Sequence, residues 1–376
     1  MGQPAYRGAQ LYHALYAERK FGVAQITNLP GAFRERLAKE TTLTLPQISQ
    51  KFPSTDGSVR YLFALGSSSL ALGASPNDAA RSDQPQDAGV LEASLPVTGR
   101  AASPPASVEA VFMPSEGRQT VCVSTQAGCA VNCQFCLTAQ LGLIRNLTPG
   151  EILAQVLLPL EEHRREAGAD PIQTNVVLMG QGEPLLNFDS VIAALRILLD
   201  PQGMGVSPKH ATLSTSGIVP GIERLGAEKI RPKLAISLNA SNDEQRDVLM
   251  PINKKYPLKA LLEACRAYPL RPWEHLTFEY VMLGDVNDSA EDARRVVRLL
   301  APLSRVKVNL IPWNPGELPY RESSPERIEA FRRILTDKDV PSFVRYSRGR
   351  DVMAACGQLA LLQTGQKASP TAVSSR

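Results

Sequence analysis

Three cysteines, Cys129, Cys133 and Cys136, stand in the spacing C-x3-C-x2-C. Thiolates are the ligands that iron–sulfur clusters select. Three of them, rather than four, leave one iron of a [4Fe–4S] cubane without a protein ligand. An open iron can chelate the amino and carboxylate groups of S-adenosylmethionine. An electron from the cluster can then cleave the sulfonium C–S bond and give a 5′-deoxyadenosyl radical. The competing reading is a structural zinc site, which needs four protein ligands; Cys122 stands close enough in sequence to be the fourth. Phe135, between the last two cysteines, is expected to shield the group they hold.

Other candidates lie further along the chain. Met179-Gly-Gln-Gly-Glu-Pro184 follows an apolar strand-like run. Its Gly182 lets a backbone approach a ligand, and Glu183 offers a carboxylate for a cofactor's amino group. Ser214 ends the run HATLST, Ser237, Leu238 and Asn239 end PKLAISL, and Asn314 follows RVKVNLI. Short polar residues at strand ends are often turn formers or caps. Here they fall where a β/α barrel binds its ligands. Cys122 and Cys356 read more readily as small buried hydrophobes than as reactive thiols, and Cys265 as core. Glu109 lies in SVEAVFMP; an acid in a strand usually faces solvent, whereas a buried one can act as a base.

The elements that must position these residues begin at residue 119. Apolar, β-branched runs at TVCVST, TNVVLMG, HATLST, PKLAISL, LTFEYVML and RVKVNLI alternate with helical stretches starting near Thr148, Asp189, Pro220, Leu258, Ser289 and Ser324. Continuous apolar strands suit a parallel sheet covered on both faces. The fold class is therefore α/β, a (β/α)6 repeat that forms either a partial TIM-like barrel or a doubly wound sheet, with ligands at the C-terminal ends of the strands in both cases. Residues 1–50 read as a small helical module with a basic face, a candidate RNA contact. GSVRYLFALG and SVEAVFMP read as a β-hairpin extension over 51–118. Its interior near 65–106, rich in Ala, Ser, Pro, Gly and Asp, cannot bury enough apolar surface to offset its ordering entropy and reads as a disordered insert. The barrel spans 119–350, a C-terminal segment 351–364 carries Cys356, and 365–376 is a frayed tail.

Bulk properties agree with a soluble enzyme. The 376 residues are 43% hydrophobic and 21% charged, with a formal net charge of +4. That excess permits nucleic-acid binding without demanding it. There is no apolar run of membrane-spanning length and no secretory pattern at the N-terminus, so a cytoplasmic protein without a membrane partner is expected. Cysteines clustered in a chain of this size read as metal ligands or catalytic thiols, not as a disulfide scaffold.

The cysteine motif resembles that of the radical S-adenosylmethionine superfamily, and MGQGEP its GGE-type element. The stretches GQPAYRGAQLYHALY, VCVSTQAGCAVNCQFC, IRNLTPGEILAQV, TLSTSGIVPGIERL, LAISLNASNDEQRDVLMPINKKYPL, VNLIPWNP and RGRDVMAACGQLA resemble the RlmN methyltransferases, bacterial adenine-C2 methylases of RNA. The Cfr C8 methylases are close relatives. The resemblance covers nearly the whole chain apart from the insert and tail. It implies that Cys356 carries a methyl group taken from one S-adenosylmethionine. A second one, bound at the cluster on Cys129, Cys133 and Cys136, then supplies the radical. Gly182, Glu183, Ser214, Ser237, Leu238, Asn239 and Asn314 would contact that cofactor. Cys122 would resolve the protein–RNA thioether by pairing with Cys356, and Glu109 would accept the proton. The implied substrates are 23S rRNA and an adenosine beside the tRNA anticodon, with flavodoxin or ferredoxin as electron donor. Arg145, Lys254, Lys255, Arg345, Arg348 and Arg350 are candidate RNA contacts. Asn239 stands where the family commonly has histidine. The chain opens on GQPAYR, where members usually carry one more helix, so either the start lies upstream or the helical module is trimmed.

Overall fold

The computed structural model describes residues 2–41, 43–66, 106–167 and 173–359. The expected disordered insert lies, apart from its ends, outside the described residues, as does the expected tail. Two short helices, α1 (Ala5–Tyr16) and α2 (Gly31–Glu40), open the chain. They close over a small core of Ala14, Ile26, Leu29, Phe33 and Leu37. Tyr12 ties this module to the rest by donating to Asp200 Oδ2 at 2.9 Å.

One ten-stranded sheet forms the body of the protein. Its first part is antiparallel: β1 (Gln47–Pro53), β2 (Val59–Ala64), β3 (Ser107–Ser115) and β4 (Arg118–Cys122) pair in succession. The expected β2–β3 hairpin is present, with Leu62 opposite Glu109. β1 is an addition, and it shortens the helical module, which was expected to run to residue 50. Only Ile48 and Phe52 of this edge strand are partly covered, so it carries little apolar alternation to read.

From β4 onward the pairing is parallel through β7 (Gln173–Leu178), β8 (Ala211–Thr215), β9 (Lys233–Ser237), β10 (Leu276–Met282), β11 (Val306–Pro312) and β12 (Ser342–Val344). The six expected barrel strands are there. The short β12 is a seventh, and its three residues leave no pattern in the sequence. Helices α4 (Pro149–Ala167), α5 (Phe188–Leu198), α6 (Val219–Ala227), α8 (Leu258–Ala267), α9 (Ala290–Leu300) and α10 (Pro325–Thr336) cross between the strands. A shorter helix, α7 (Asp243–Leu249), was not anticipated. Apolar side chains from strands and helices merge into one core, from Tyr61 and Phe63 in the extension to Leu335 in α10. Burial of this kind contributes about 25 cal/mol per Å² of apolar surface. The result is a mixed α/β fold with a largely parallel sheet, a partial TIM-like barrel. No described helix is long and apolar enough to cross a membrane.

Candidate active site

The three cysteines sit on a loop fastened at its base by a two-stranded ribbon, β5 (Gln126–Gly128) with β6 (Leu143–Asn146). Gly128 has φ +75°, and a Cβ there would lie 1.8 Å from the Gly142 carbonyl oxygen. Only glycine permits that approach, and it directs Cys129 into the loop, where its amide donates to Gly142 O at 2.9 Å. The Cys136 amide donates to Cys133 O at 3.1 Å, and Cys136 precedes the short helix α3 (Leu137–Gln140). Phe135 packs in a local core with Ala240, Leu249, Met250, Leu283 and Trp313.

All three thiols line one cavity of about 180 Å³ at the C-terminal ends of the parallel strands. Burial, together with the mutual repulsion of the thiolates, pushes Cys129 up to about 12 and Cys133 well above the ordinary thiol value. Burial raises Cys136 as well, against hydrogen bonds from Thr138 and Ala139. A multiply charged metal centre is what stabilises such a set as thiolates. Among the described residues no three His, Cys, Asp or Glu side chains gather around a single ion. A cubane takes each thiolate on a different iron, so its ligands surround a cavity instead of converging on one point. The donor set thus fits a [4Fe–4S] cluster. Cys122, the thiol that a zinc site would add to the three, is not among the residues lining this cavity.

The other walls of the cysteine cavity include Gly182, Glu183, Ser214, Ser237, Asn239 and Asn314. Gly182 has φ +97°, and a Cβ would meet Gln126 Cβ at 2.6 Å, so close packing against β5 already requires glycine there. Glu183 accepts from the amides of Leu185 (3.1 Å) and Ser216 (2.7 Å), while its own amide donates to Gln126 Oε1 at 2.8 Å. Burial nonetheless holds its carboxyl above the usual range. Ser214 Oγ and Ser237 Oγ lie 3.5 Å apart across β8 and β9. Asn239, at φ +55°, accepts from Val281 N at 2.9 Å and donates to Met250 Sδ at 3.3 Å. Both ends of its amide thus have a partner within the protein, while the residue still lines the cavity. Leu238 departs from expectation. Its side chain is buried in the main core, its carbonyl accepts from Arg246 Nε at 3.1 Å, and it is absent from the cavity lining.

Asn314 does more than line the wall. Its Nδ2 donates to Ser347 Oγ at 2.9 Å and to the Cys356 carbonyl at 3.0 Å. The C-terminal segment is held on its other side by Leu137 N to Gly357 O (2.8 Å) and Thr138 Oγ1 to Leu359 O (2.5 Å). Cys356 and Gly357 consequently stand in the wall between two cavities. The second, of about 370 Å³, is lined by Val111, Met113, Cys122, Arg345, Tyr346 and Cys356, among others. Cys356 retains surface that faces these cavities, yet protein crowds its thiol. Burial, followed by the neighbouring Glu279 and Cys136 charges, pushes it up to about 11. Burial and the proximity of Cys356 raise Cys122 too.

Glu109 is the main surprise. It is fully buried in β3, ion-paired with Arg60 and bonded to Gln181 Nε2 at 3.3 Å, and it lines neither cavity. Three of the candidate RNA contacts are engaged within the protein: Arg145 with Glu151, Arg348 with Asp56, and Arg350 with Glu322. Sequence reasoning also missed two buried charges. Arg246, wholly withdrawn from solvent, donates to the carbonyls of Leu238, Ser216 and Ser237 and to Asn253 Oδ1. Glu279 lines the cysteine cavity from β10, with its carboxyl raised by burial against an Asn309 hydrogen bond of 3.0 Å. A lone carboxylate inside the apolar run LTFEYVML was the available signal.

The model of the radical SAM superfamily matches residues 123–297. A probable dual-specificity RNA methyltransferase RlmN from Koribacter versatilis is 47% identical over 363 residues, covering 96% of each chain. The dual-specificity RNA methyltransferase RlmN of Anaeromyxobacter sp. is 43% identical, covering 96% of this chain and 86% of its own. The crystal structure of a radical SAM methyltransferase from Sphaerobacter thermophilus superposes with a TM-score of 0.79 at 38% identity, over 95% of this chain and 94% of that one. The chain belongs to the RlmN family of radical S-adenosylmethionine RNA methyltransferases.

Proposed function

We propose that the protein methylates C2 of an adenosine in 23S rRNA, and of an adenosine beside the tRNA anticodon, through a methyl group carried on Cys356. The observation that supports this best is the position of Cys356 in the wall between two cavities, one lined by the cysteine triad and the other by Cys122. Cys129, Cys133 and Cys136 would hold the [4Fe–4S] cluster, with Glu183 and the Ser214–Ser237 pair beside the S-adenosylmethionine bound at it. When bound, that cluster would supply the electron for reductive cleavage of this S-adenosylmethionine to methionine and a 5′-deoxyadenosyl radical. Flavodoxin or ferredoxin is the expected electron source.

The remaining work falls to the chain itself. Cys356 loses its proton, and its sulfur attacks the methyl of a first S-adenosylmethionine, forming an S–C bond as the sulfonium bond breaks and S-adenosylhomocysteine leaves. Asn314 and the Leu137 amide keep that sulfur facing both cavities. The S-methyl group gives a hydrogen atom to the 5′-deoxyadenosyl radical, which would leave as 5′-deoxyadenosine, and the resulting methylene carbon bonds to adenine C2. The adduct gives up one electron, which the cluster would take back, and the C2 proton passes to a base. The family resemblance assigns that base to Glu109, which stands in β3 outside the lining of both cavities. The Cys122 thiolate then attacks the Cys356 sulfur. The S–S bond forms, the S–C bond breaks toward the base, and a proton completes the new methyl group. A thiol reductant must reopen the disulfide. An adenine taken from its stack is needed to reach the second cavity.

Mass spectrometry of 23S rRNA and tRNA nucleosides from cells lacking the protein tests the reading. Loss of 2-methyladenosine from both RNAs is expected, with restoration by the native gene and none by Cys356→Ala. Loss of an 8-methyl product instead would assign the C8 chemistry.

A further inference from the structure

The segment that carries Cys356 is fastened to a turn nearly the whole chain away. β1 and β2 are joined by residues 54–58, and the strand edge opposite β1 is β12. Asp351, beyond β12, accepts from Ser54 Oγ at 2.5 Å, Thr55 N at 3.0 Å and Thr55 Oγ1 at 3.2 Å. In the other direction Asp56 Oδ2 accepts from the Gly349 amide at 2.9 Å and from Arg348 Nε at 3.4 Å. Arg348 also donates to the carbonyls of Asp56 and Pro114. Each side thus supplies one carboxylate to the other side's donors. The Ala354 amide, two residues before Cys356, donates to Gly349 O at 2.9 Å, which carries the restraint to the thiol.

We propose that this reciprocal joint is a clasp that positions Cys356, with Asp56 and Asp351 as its positioning residues. The proposal rests on Cys356 being the methyl carrier. Both ends of the sheet meet at the clasp, so the antiparallel extension fixes where the C-terminal segment crosses the barrel mouth. Without the clasp, 348–355 would be held by the Arg350–Glu322 ion pair, the packing of Val352 and Ala354 beside Val111 and Cys122, and the C-terminal contacts at Asn314, Leu137 and Thr138. Cys356 would then spend less of its time in the wall between the cavities.

The test is the rate at which iodoacetamide alkylates Cys356 in the anaerobically purified full chain, read by peptide mass spectrometry. Asp351→Ala should accelerate alkylation about tenfold and Ser54→Ala about threefold, the scale of one or two exposed charge-assisted hydrogen bonds. In the Asp351→Ala background, Ser54→Ala should add nothing, because the pair acts as a unit. In the same variants RNA methylation should lose kcat with KM for RNA unchanged. An alkylation rate within twofold of the native one, additive effects, or equal acceleration at buried Cys265 would overturn the clasp. Alkylation needs neither cofactor nor RNA. Finding that Cys356 never carries methyl would therefore sink the functional reading while leaving the alkylation result standing.

Discussion

The Glu109 carboxylate and the Arg60 guanidinium form an ion pair inside the extension sheet, both almost wholly withdrawn from solvent. Arg60 lies opposite Val111, so the two are diagonal neighbours on one face of β2 and β3. The pair gives Glu109 a structural task alongside its proposed proton transfer. Glu109→Gln should cost about 3–5 kcal/mol, because a buried arginine loses its counter-charge. Urea unfolding measures this. The double variant Arg60→Met, Glu109→Leu should recover most of that stability and none of the methylation. Methylation returning with stability would leave Glu109 no chemical role.

Asn314 offers a second separation of roles. Both its hydrogen-bonded partners, Ser347 Oγ and Cys356 O, belong to the C-terminal half of the site. Asn314→Asp keeps the shape but sets an acceptor against a carbonyl, which costs about 1–3 kcal/mol. RNA methylation should fall about tenfold or more by the same reckoning. Reductive cleavage of S-adenosylmethionine to 5′-deoxyadenosine should persist near the native rate. Equal loss of both would make Asn314 a cofactor contact first.

What the sequence disclosed was what is encoded locally. The cysteine triad is a matter of spacing within eight residues, and β7 to β11 are continuous apolar runs, so both were legible. The strand-end serines were legible because a barrel places strand ends on one face. What stayed hidden depends on partners far away in sequence. Arg246 sits in DEQRDVL, which reads as a solvated turn of helix, and only the carbonyls at the ends of β8 and β9 explain its burial. Glu109 reads as a surface acid until Arg60 is placed diagonally across from it on β2. Asp56 and Asp351 have no local pattern at all, because each makes sense only through the other's neighbours. Leu238 was chosen for its position in a motif, and the alternation of the chain sends it into the core.

Arg246 predicts a large effect from a residue that touches neither cavity. Arg246→Met would strip donors from the carbonyls of Ser216, Ser237 and Leu238 and from Asn253 Oδ1. Unpaired buried acceptors cost about 1–3 kcal/mol each, partly relieved by water. A loss of about 3–5 kcal/mol in denaturant unfolding is expected. Arg246→Lys keeps the charge but lacks the planar fork, so it should recover only part. A fully stable methionine variant would show that these carbonyls find other donors.

The clasp should also respond to acid. Partial burial pushes the Asp56 carboxyl up, but hydrogen bonds led by the Gly349 amide outweigh this and hold it well below the carboxylate range. Asp351 is lowered too, first by the Ser54 hydroxyl and then by the Thr55 amide. A depressed folded value means that the stabilisation is complete above the unfolded value of about 3.9 and is lost as pH falls through the folded one. The Asp56 side chain is 36% exposed, so solvent screening limits its effect to below about 1 kcal/mol. The gap in urea midpoint between the native protein and Asp56→Asn should therefore be flat from about pH 8 to 6 and close below about pH 4. Hydrogen exchange at 349–356 should quicken over the same acid range in the native protein, relative to the intrinsic rate at each pH, and less so in the variant. A gap that widened toward acid would mean that Asp56 is favoured in its protonated form, and the clasp as drawn would not hold.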